Sequence, residues 1–237
     1  MRSLYLLLAT AGSRPYFLGS AAALEPQDWI FPSYREHAAA FLRGLPLKAF
    51  MCGLLGNAGD AVKGRQMPCH YVFAKGHYLS ISSPVGTQIP HAMGIAWGMK
   101  LRKEKAAVLV YFGDGATSTP DFHVAMNFAG VYRAPCVFFC NNNQWAISLP
   151  VSHQTATATL AEKAAAYGFE GVRVDGMDAL AVFGAVRRAL RAVQAGGVLD
   201  AKTKELIAIA ASLAASATAS ETSMPTLVAI ILPPAPC

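Results

Sequence analysis

Two runs of uninterrupted apolar residues, at 106–112 and 136–140, are the clearest pattern in this chain. Such a run predicts a strand covered on both faces, because a half-exposed strand would alternate apolar and polar residues. Shorter apolar segments at 171–174 and 227–232 predict two further strands.

Helix signals fill the intervals between these strands. Pro120 stands where a proline opens a helix, and Gly168 stands where a glycine ends one. Residues 56–86 are rich in Gly, Pro and polar side chains, which predicts a long functional loop. The predicted helices cover about 36–53, 88–102, 120–132, 155–167 and 179–194.

The alternation of strands and helices predicts an α/β fold with a largely parallel sheet flanked by helices. At 237 residues the chain is expected to form a single domain over 1–237. Residues 198–224 interrupt the alternation, and we expect an atypical inserted segment there, an amphipathic helix followed by a polar linker. Ligands of such sheets bind beyond the carboxyl ends of the strands.

Composition narrows the function classes. Charged residues make up 14% of the chain and hydrophobic residues 54%, whereas typical globular proteins are about 25% charged. The surplus of apolar surface predicts a large subunit interface. The net charge of +6 comes without a dense Lys/Arg run, which argues against nucleic-acid binding. No apolar run approaches the ~20 residues of a membrane span.

The cysteines and the N-terminus bear on the compartment. Residues 1–11 superficially resemble a short signal peptide, but their apolar core is brief, so we expect a truncated first helix instead. The five cysteines show no zinc-type spacing. Cys136 and Cys140, at the two ends of one predicted strand, are expected to be buried, reduced thiols, which favours a reducing compartment. The five are Cys52, Cys69, Cys136, Cys140 and Cys237.

A polar motif follows each of the two long apolar runs. Gly113-Asp114-Gly115 follows the first run, and Asn142-Asn143 follows the second. Asp114 and Asn143 are 29 residues apart, about one strand–helix–strand unit, so a parallel pair would bring both side chains to one edge of the sheet. Their oxygens suit Mg²⁺, and Gly115 at a helix start suits a phosphate. Either motif alone is typical of a turn; together they predict a magnesium–diphosphate site.

The residues around these motifs are similar to the thiamine diphosphate-binding alpha subunit of 2-oxo acid dehydrogenases. The similarity follows the family's order and covers about residues 19–197. Residues 64–68 favour the branched-chain (2-oxoisovalerate) members, with pyruvate and acetoin enzymes as alternatives. The similar segments are 30–37 (IFPSYREH), 64–71 (GRQMPCHY), 81–90 (ISSPVGTQIP), 113–129 (GDGATSTPDFHVAMNFA), 139–148 (FCNNNQWAIS) and 167–178 (YGFEGVRVDGMD).

The resemblance implies cofactor contacts for individual residues. Tyr34 and Arg35 resemble residues that hold the diphosphate, a task that suits a guanidinium. Ser83 and Val85 resemble the segment that binds the aminopyrimidine, where an apolar side chain supports the cofactor. The other implied cofactor contacts are Gly113, Asp114, Gly115, Ala116 and Asn143.

The resemblance also implies two metal sites. Asp114, the Asn143 side chain and the Trp145 carbonyl correspond to Mg²⁺ ligands. A K⁺ site of branched-chain members corresponds to Ser82, Thr87 and Gln88. Hydroxyl side chains at this position are also typical of the cap of the helix predicted from 88 onward.

The implied activity is oxidative decarboxylation of a branched-chain 2-oxo acid with thiamine diphosphate and Mg²⁺, followed by acyl transfer to a lipoyl group. The implied partners are a lipoyl acyltransferase and a beta subunit in an α₂β₂ heterotetramer. The implied compartment is the cytoplasm, or the mitochondrial matrix in a eukaryote.

No catalytic residue is expected in this chain. The activating glutamate is implied to lie on the beta subunit, and the family's histidine loop, which follows the strand at 227–232, has no counterpart. His70, His91 and His123 have no spacing that requires catalysis, so we interpret them as structural histidines.

The chain departs from the family pattern elsewhere too. It looks truncated at both ends, and residues 12–15 replace the family's Gly-Gln-Glu-Ala. Thr119-Pro120 stands where Glu-Gly is common, which a helix start should tolerate. Two alternative functions are therefore a non-catalytic paralogue that acts only in subunit association and a general phosphate-binding domain. The matches at 34–35 and 82–88 disfavour the latter.

Overall fold

The computed structural model describes residues 15–194 and 227–232. Its strands are β1 (Trp29–Phe31), β2 (Val108–Gly113), β3 (Cys136–Asn142), β4 (Trp145–Ala146), β5 (Leu149–Pro150), β6 (Glu170–Asp175) and β7 (Leu227–Leu232). Five of them form one sheet in the order β1-β2-β3-β7-β6, and β4 pairs with β5 separately. The predicted insertion at 198–224 and the first helix expected in place of a signal peptide lie outside the described residues.

The α-helices lie mainly where the sequence predicts them. They are α1 (Pro15–Ala22), α2 (His37–Leu42), α3 (Leu47–Leu55), α4 (Gln88–Leu101), α5 (Pro120–Tyr132) and α6 (Ala179–Gln194). The predictions for the last three of these are confirmed, including Pro120 as the first helical residue. Within the described part of the chain, no helix is both long and apolar enough to cross a membrane.

Two helix predictions are wrong. The single helix expected over 36–53 is divided into α2 and α3, because Gly44 adopts a left-handed conformation (φ 93°) and Pro46 follows it. The segment 155–167 forms a 3₁₀ helix only from Leu160 to Tyr167. Its first residues bond locally instead, since the Thr155 and Thr157 hydroxyls are 2.9 Å apart.

The sheet is largely parallel, as predicted. β1, β2 and β3 run in one direction, with Val108 opposite Cys136 and Gly113 opposite Asn141. β7 lies between β3 and β6 and is antiparallel to both, so β6 shares the direction of the first three strands.

Both faces of β2 and β3 are buried, which explains their uninterrupted apolar sequences. On one face Leu109, Tyr111 and Phe139 pack with residues of α1 and α6. On the other face Val110 and Phe138 pack with residues of α4 and α5. Successive residues along each strand therefore pack into opposite halves of the core. Because the two strands are parallel, their carboxyl ends lie at the same edge of the sheet.

Helix α1 packs closely on the start of α6 at Gly19, where an added Cβ would overlap the carbonyl oxygen of Ala179. Gly19→Ala should therefore lower the free energy of unfolding by about 1–3 kcal/mol, the usual cost of overpacking. Gly94, inside α4, has open space at its Cβ position. Gly94→Ala is the matched control and should raise stability by about 0.5–1 kcal/mol through helix propensity. Urea denaturation compares the two variants, and equal changes would contradict the packing of α1 on α6.

Candidate functional site

The carboxyl ends of β2 and β3 bring the two polar motifs together. Gly113 is opposite Asn141 in the sheet register, so Asp114 and Asn143 leave neighbouring strands at the same edge. The backbone N–H of Asn143 donates a hydrogen bond to the Asp114 carboxylate. Asp114 is only 2% exposed, whereas Asn143 is exposed. The buried Asp114 carboxylate therefore lies against the backbone of Asn143, whose carboxamide is accessible, where the sequence predicts a ligand site.

Burial dominates the electrostatics of Asp114. It raises the pKa of the carboxyl group above its ordinary value, because the charged form is desolvated. Hydrogen bonds from the Gln154 side chain, from the backbone of Asp114 and from Asn143 offset only part of this effect. The Gln154 Nε2 atom lies 3.3 Å from Asp114 Oδ2. A cation at this carboxylate would replace hydration that the fold has removed.

The turn that carries Asp114 is a 3₁₀ helix from Asp114 to Ser118. Thr117 Oγ1 donates to the Asp114 carbonyl at 2.8 Å, and Lys163 Nζ donates to Thr117 Oγ1 at 3.0 Å. Thr119 then caps α5, since its hydroxyl accepts the backbone N–H three residues later at 3.4 Å. Thr119 and Pro120 therefore form a regular helix start, in which threonine supplies the cap and Pro120 occupies the first turn. That the site tolerates these two residues stays a prediction.

Gly115 and Ala116 lie in this turn with different surroundings. An added Cβ on Gly115 would be 2.8 Å from the Cβ of Ala146, so the glycine allows β4 to pack against the turn. Ala116 is buried in the core beside α5. The sequence predicts phosphate access at Gly115; in this single chain the residue makes room for the strand that contains Trp145.

The Asn-rich segment after Cys140 offers several oxygen atoms. Asn143 Oδ1 accepts the backbone N–H of Trp145 at 2.9 Å, and Asn142 Oδ1 accepts that of Gln144 at 3.0 Å. The Asn141 Oδ1 atom is buried and has no hydrogen-bond partner among the described residues. An unsatisfied buried acceptor at this edge fits a site whose ligand or cation supplies the missing interaction.

Tyr34 and Arg35 lie in a tight turn fixed by the buried carboxylate of Glu36. Glu36 Oε2 accepts the backbone N–H groups of Ser33 at 2.7 Å and Arg35 at 3.2 Å, and Oε1 accepts the Ser33 hydroxyl at 2.7 Å. Arg35 is exposed, and its guanidinium carbon is 5.3 Å from the Tyr34 ring centroid. Within residues 15–194 and 227–232 no carboxylate forms an ion pair with Arg35. Its charge is therefore available to an anion.

The hydroxyl groups at the start of α4 converge. The Thr87 hydroxyl is 2.7 Å from Ser82 Oγ and 3.1 Å from the Pro84 carbonyl oxygen. Thr87 occupies the N-cap of α4, yet its side chain makes no capping hydrogen bond, so capping does not explain this cluster. Gln88 Nε2 donates to the Tyr111 carbonyl at 2.8 Å, which leaves Oε1 as the oxygen able to face a cation.

Ser83 and Val85 are both exposed, and Val85 presents 55% of its surface to solvent. Ser83 Oγ lies 2.6 Å from His70 Nε2. His70 was expected to be a structural histidine, and it is indeed buried and hydrogen bonded. Its partner, however, is a candidate cofactor residue. The segment 64–71 contained this signal, but its spacing alone could not identify the partner.

The charged groups at the site favour a cation held mainly by neutral oxygens. No cluster of three or more His, Cys, Asp or Glu side chains that could hold a metal occurs in the described ranges. Asp114 would therefore act with carbonyl and carboxamide oxygens, a donor set that suits Mg²⁺ when phosphate oxygens complete it.

Two open clefts lie near the candidate residues. One of about 500 Å³ is lined by residues that include Phe31, Ser82 and Gln88. The other, of about 440 Å³, is lined by residues that include Asn142 and Arg173. Neither lining contains Asp114, Arg35 or Ser83.

Comparisons with known proteins identify similar chains. Residues 4–198 match the family model described as "Dehydrogenase E1 component". The 2-oxoisovalerate dehydrogenase subunit alpha 2 of Arabidopsis thaliana is 48% identical over 182 residues, 76% of this chain and 39% of that protein. The corresponding alpha subunits of Caenorhabditis elegans and Homo sapiens are 45% and 43% identical, over 78% and 76% of this chain.

This chain spans about two fifths of the length of these curated relatives, since the matches cover 39%, 43% and 40% of them. A solved structure from Mycobacterium smegmatis, described as a candidate thiamin diphosphate-dependent enzyme, aligns with a TM-score of 0.48 and 17% identity. That alignment covers 74% of this chain and 29% of the other. A match of this quality adds nothing to the fold described above.

Asp114→Asn should stabilise the chain at pH 7. The folded state raises the pKa of Asp114, so ionisation above the unfolded value of 3.8 costs free energy in the folded state that asparagine avoids. The advantage of the variant should be complete at neutral pH and should shrink as the pH falls through the raised pKa towards 3.8. Urea midpoints between pH 7 and pH 4 measure it, and a variant less stable than wild type at pH 7 would contradict the prediction.

Proposed function

This chain belongs to the dehydrogenase E1 component family, and we propose that it is the thiamine diphosphate-binding alpha subunit of a branched-chain 2-oxo acid dehydrogenase. The names of the relatives, which are 2-oxoisovalerate dehydrogenase alpha subunits, support the substrate class. Pyruvate and acetoin are the alternative substrates, and the decarboxylation assay below distinguishes pyruvate.

The meeting of Asp114 and Asn143 at one sheet edge is the observation that carries this proposal. Magnesium would bind the Asp114 carboxylate, the Asn143 Oδ1 atom and the Trp145 carbonyl. Asn143 Oδ1 already accepts one N–H and keeps a second lone pair for a cation. The packing of β4 on the Asp114 turn supports the use of the Trp145 carbonyl.

The diphosphate would be held from two sides. The Arg35 guanidinium would pair with phosphate oxygens, since it has no carboxylate partner within the described ranges. Tyr34 supports that guanidinium through its ring face. On the opposite side the diphosphate would lie against the backbone of the turn formed by Gly113, Asp114, Gly115 and Ala116.

The aminopyrimidine would bind along Ser83 and Val85. The 55% exposure of Val85 supports this assignment, because an apolar side chain in an accessible turn gains from a covering ring. A K⁺ ion would take the oxygens of Ser82, Thr87 and Gln88, of which the first two are already 2.7 Å apart. Such an ion would fix the turn that presents Ser83.

Thiamine diphosphate supplies the electron sink for decarboxylation of a 2-oxo acid. The residues of this chain would bind and orient the cofactor, and we propose that the acid–base groups come from a beta subunit. The acyl product would pass to a lipoyl group on an acyltransferase. The mitochondrial names of the relatives favour the matrix as the compartment if the source is eukaryotic.

An exposed aromatic face supports a subunit partner. Trp97 and Tyr132 stack with ring centroids 4.6 Å apart, and Phe128 stacks on Tyr132 at 5.8 Å. Each of the three is more than a third exposed, and Leu101 and Val131 are exposed by 66% and 68%. These side chains lie towards the C-terminal ends of α4 and α5, whereas the candidate site lies at the N-terminal ends of the same helices. We propose that the beta subunit covers this face.

Asp114→Ala should strongly weaken cofactor binding. Calorimetric titration of thiamine diphosphate with Mg²⁺ into the complex of this chain with a beta subunit is expected to show binding that weakens on the order of a hundredfold or more in the variant. Asp121→Ala, seven residues further along and partly exposed, is the matched control and should bind like wild type. A well-folded wild-type complex that binds no cofactor would contradict the enzyme function and favour a chain that acts only in subunit association.

The substrate assignment predicts a preference for branched 2-oxo acids. The assembled complex should decarboxylate 2-oxoisovalerate with a higher kcat/KM than pyruvate. The expected ratio of kcat/KM is about tenfold or more, because each buried methylene contributes roughly 1–3 kcal/mol to discrimination. Faster decarboxylation of pyruvate would replace the branched-chain assignment and leave the cofactor site intact.

A further inference from the structure

A column of side chains connects two segments that are distant in sequence. The Arg35 guanidinium carbon lies 5.3 Å from the centroid of the Tyr34 ring. The Tyr34 ring is stacked beside the His70 ring, with centroids 6.4 Å apart and planes inclined by 13°. His70 Nε2 then lies 2.6 Å from Ser83 Oγ. One residue of the loop 56–86, His70, thus connects the candidate diphosphate segment to the candidate pyrimidine segment.

The neighbours of His70 determine which of its two ring nitrogens carries the proton. Its Nδ1 atom is 3.3 Å from the Pro68 carbonyl oxygen, an atom that can only accept a hydrogen bond. The Cys69 thiol is 3.6 Å from the same nitrogen and is a much weaker partner. We therefore assign the proton to Nδ1, so Nε2 accepts the hydroxyl hydrogen of Ser83. The Ser83 oxygen then keeps its lone pairs for other groups.

The backbone around His70 is held in an unusual conformation. Cys69 has a left-handed φ of 66°, which costs a residue with a Cβ about 1 kcal/mol or more. The backbone N–H of His70 closes this turn on the Met67 carbonyl at 3.0 Å. His70 itself is 9% exposed. The surrounding structure thus maintains a strained turn whose result is to direct the imidazole between Tyr34 and Ser83.

We propose that His70 is a positioning residue that sets the spacing between Arg35 and Ser83 for a ligand that carries both a diphosphate and a heteroaromatic ring. The proposal rests on the proposed function, and His70 acts through Tyr34 and Ser83 rather than on the ligand itself. Two interactions carry the effect: ring stacking on one side and the hydrogen bond on the other. Each can be removed separately.

Two substitutions separate these interactions. His70→Phe keeps the ring beside Tyr34 and loses the acceptor for Ser83. His70→Gln keeps an amide oxygen near the position of Nε2 and loses the ring. His123→Phe is the matched control, because His123 also bonds a hydroxyl, that of Tyr167, but lies on α5.

The first measurement needs no cofactor. Nitrogen-15 spectra of the full chain labelled at histidine should show His70 protonated at Nδ1, with an Nε2 resonance that moves in Ser83→Ala. The resonances of His123 should not move in that variant. Protonation of the neutral ring at Nε2, or an Nε2 resonance indifferent to Ser83→Ala, would overturn the link.

The second measurement is the affinity of the complex with the beta subunit for thiamine diphosphate and Mg²⁺. His70→Phe should weaken binding by about tenfold, the equivalent of one lost hydrogen bond. Ser83→Ala should then have no further effect, whereas His70→Gln should retain its sensitivity to Ser83→Ala. Additive effects of His70→Phe and Ser83→Ala would contradict the positioning role.

The two measurements separate the possible failures. If the wild-type complex binds no cofactor, the proposed function fails, while the nitrogen spectra still decide whether His70 orders Ser83. If wild type binds and His70→Phe binds equally well, the positioning role fails while the proposed function stands. If His70→Phe does not fold, the Ser83→Ala cycle in the His70→Gln background decides the question.

Discussion

The register between β2 and β3 is the constraint on which the candidate site depends. All residues of these strands from Val108 to Phe112 and from Cys136 to Cys140 are at most 1% exposed. A slip by one residue would exchange the two faces and would remove the Tyr111 hydroxyl from its hydrogen bond to Ser20, which is 2.8 Å long. Because this register is fixed, Gly113 stays opposite Asn141, and Asp114 stays beside the backbone of Asn143.

Buried carboxylates perform different tasks on the two sides of the site. Glu36 has its charge compensated by the Ser33 and Arg35 groups, although burial still raises its pKa, and it fixes a loop. Asp114 accepts from the Gln154 side chain at 3.3 Å and from the backbone of Asp114 and Asn143, and it lies next to accessible oxygens. The first arrangement stabilises a conformation. The second reduces stability where a cation would restore it, which is typical of binding sites.

The sequence predicted the parts of the fold that follow from local pattern. The apolar runs predict both central strands, and helix signals such as Pro120 predict α4, α5 and α6. The spacing of Asp114 and Asn143 predicts that they meet at one edge of the sheet. The division of the 36–53 helix at Gly44 was missed because helical periodicity continues across it. The direction of β7 and the bond between His70 and Ser83 depend on contacts between distant segments, which no single-segment pattern contains. Similarity to a family supplied roles for Tyr34 and Ser83 that neither spacing nor composition could assign.

The contact between Gly115 and Ala146 has a consequence for the choice of ion. Because only hydrogen fits between the Asp114 turn and β4, with 2.8 Å from an ideal Cβ to the neighbouring Cβ, the turn and the strand approach as closely as their backbones allow. Under the proposed function this closeness sets the separation of the carboxylate and the Trp145 carbonyl. Magnesium requires oxygens at about 2.0–2.1 Å, whereas calcium accepts about 2.3–2.6 Å. A methyl group at position 115 would widen the spacing of these oxygens, so under the proposed function this glycine would favour the smaller ion.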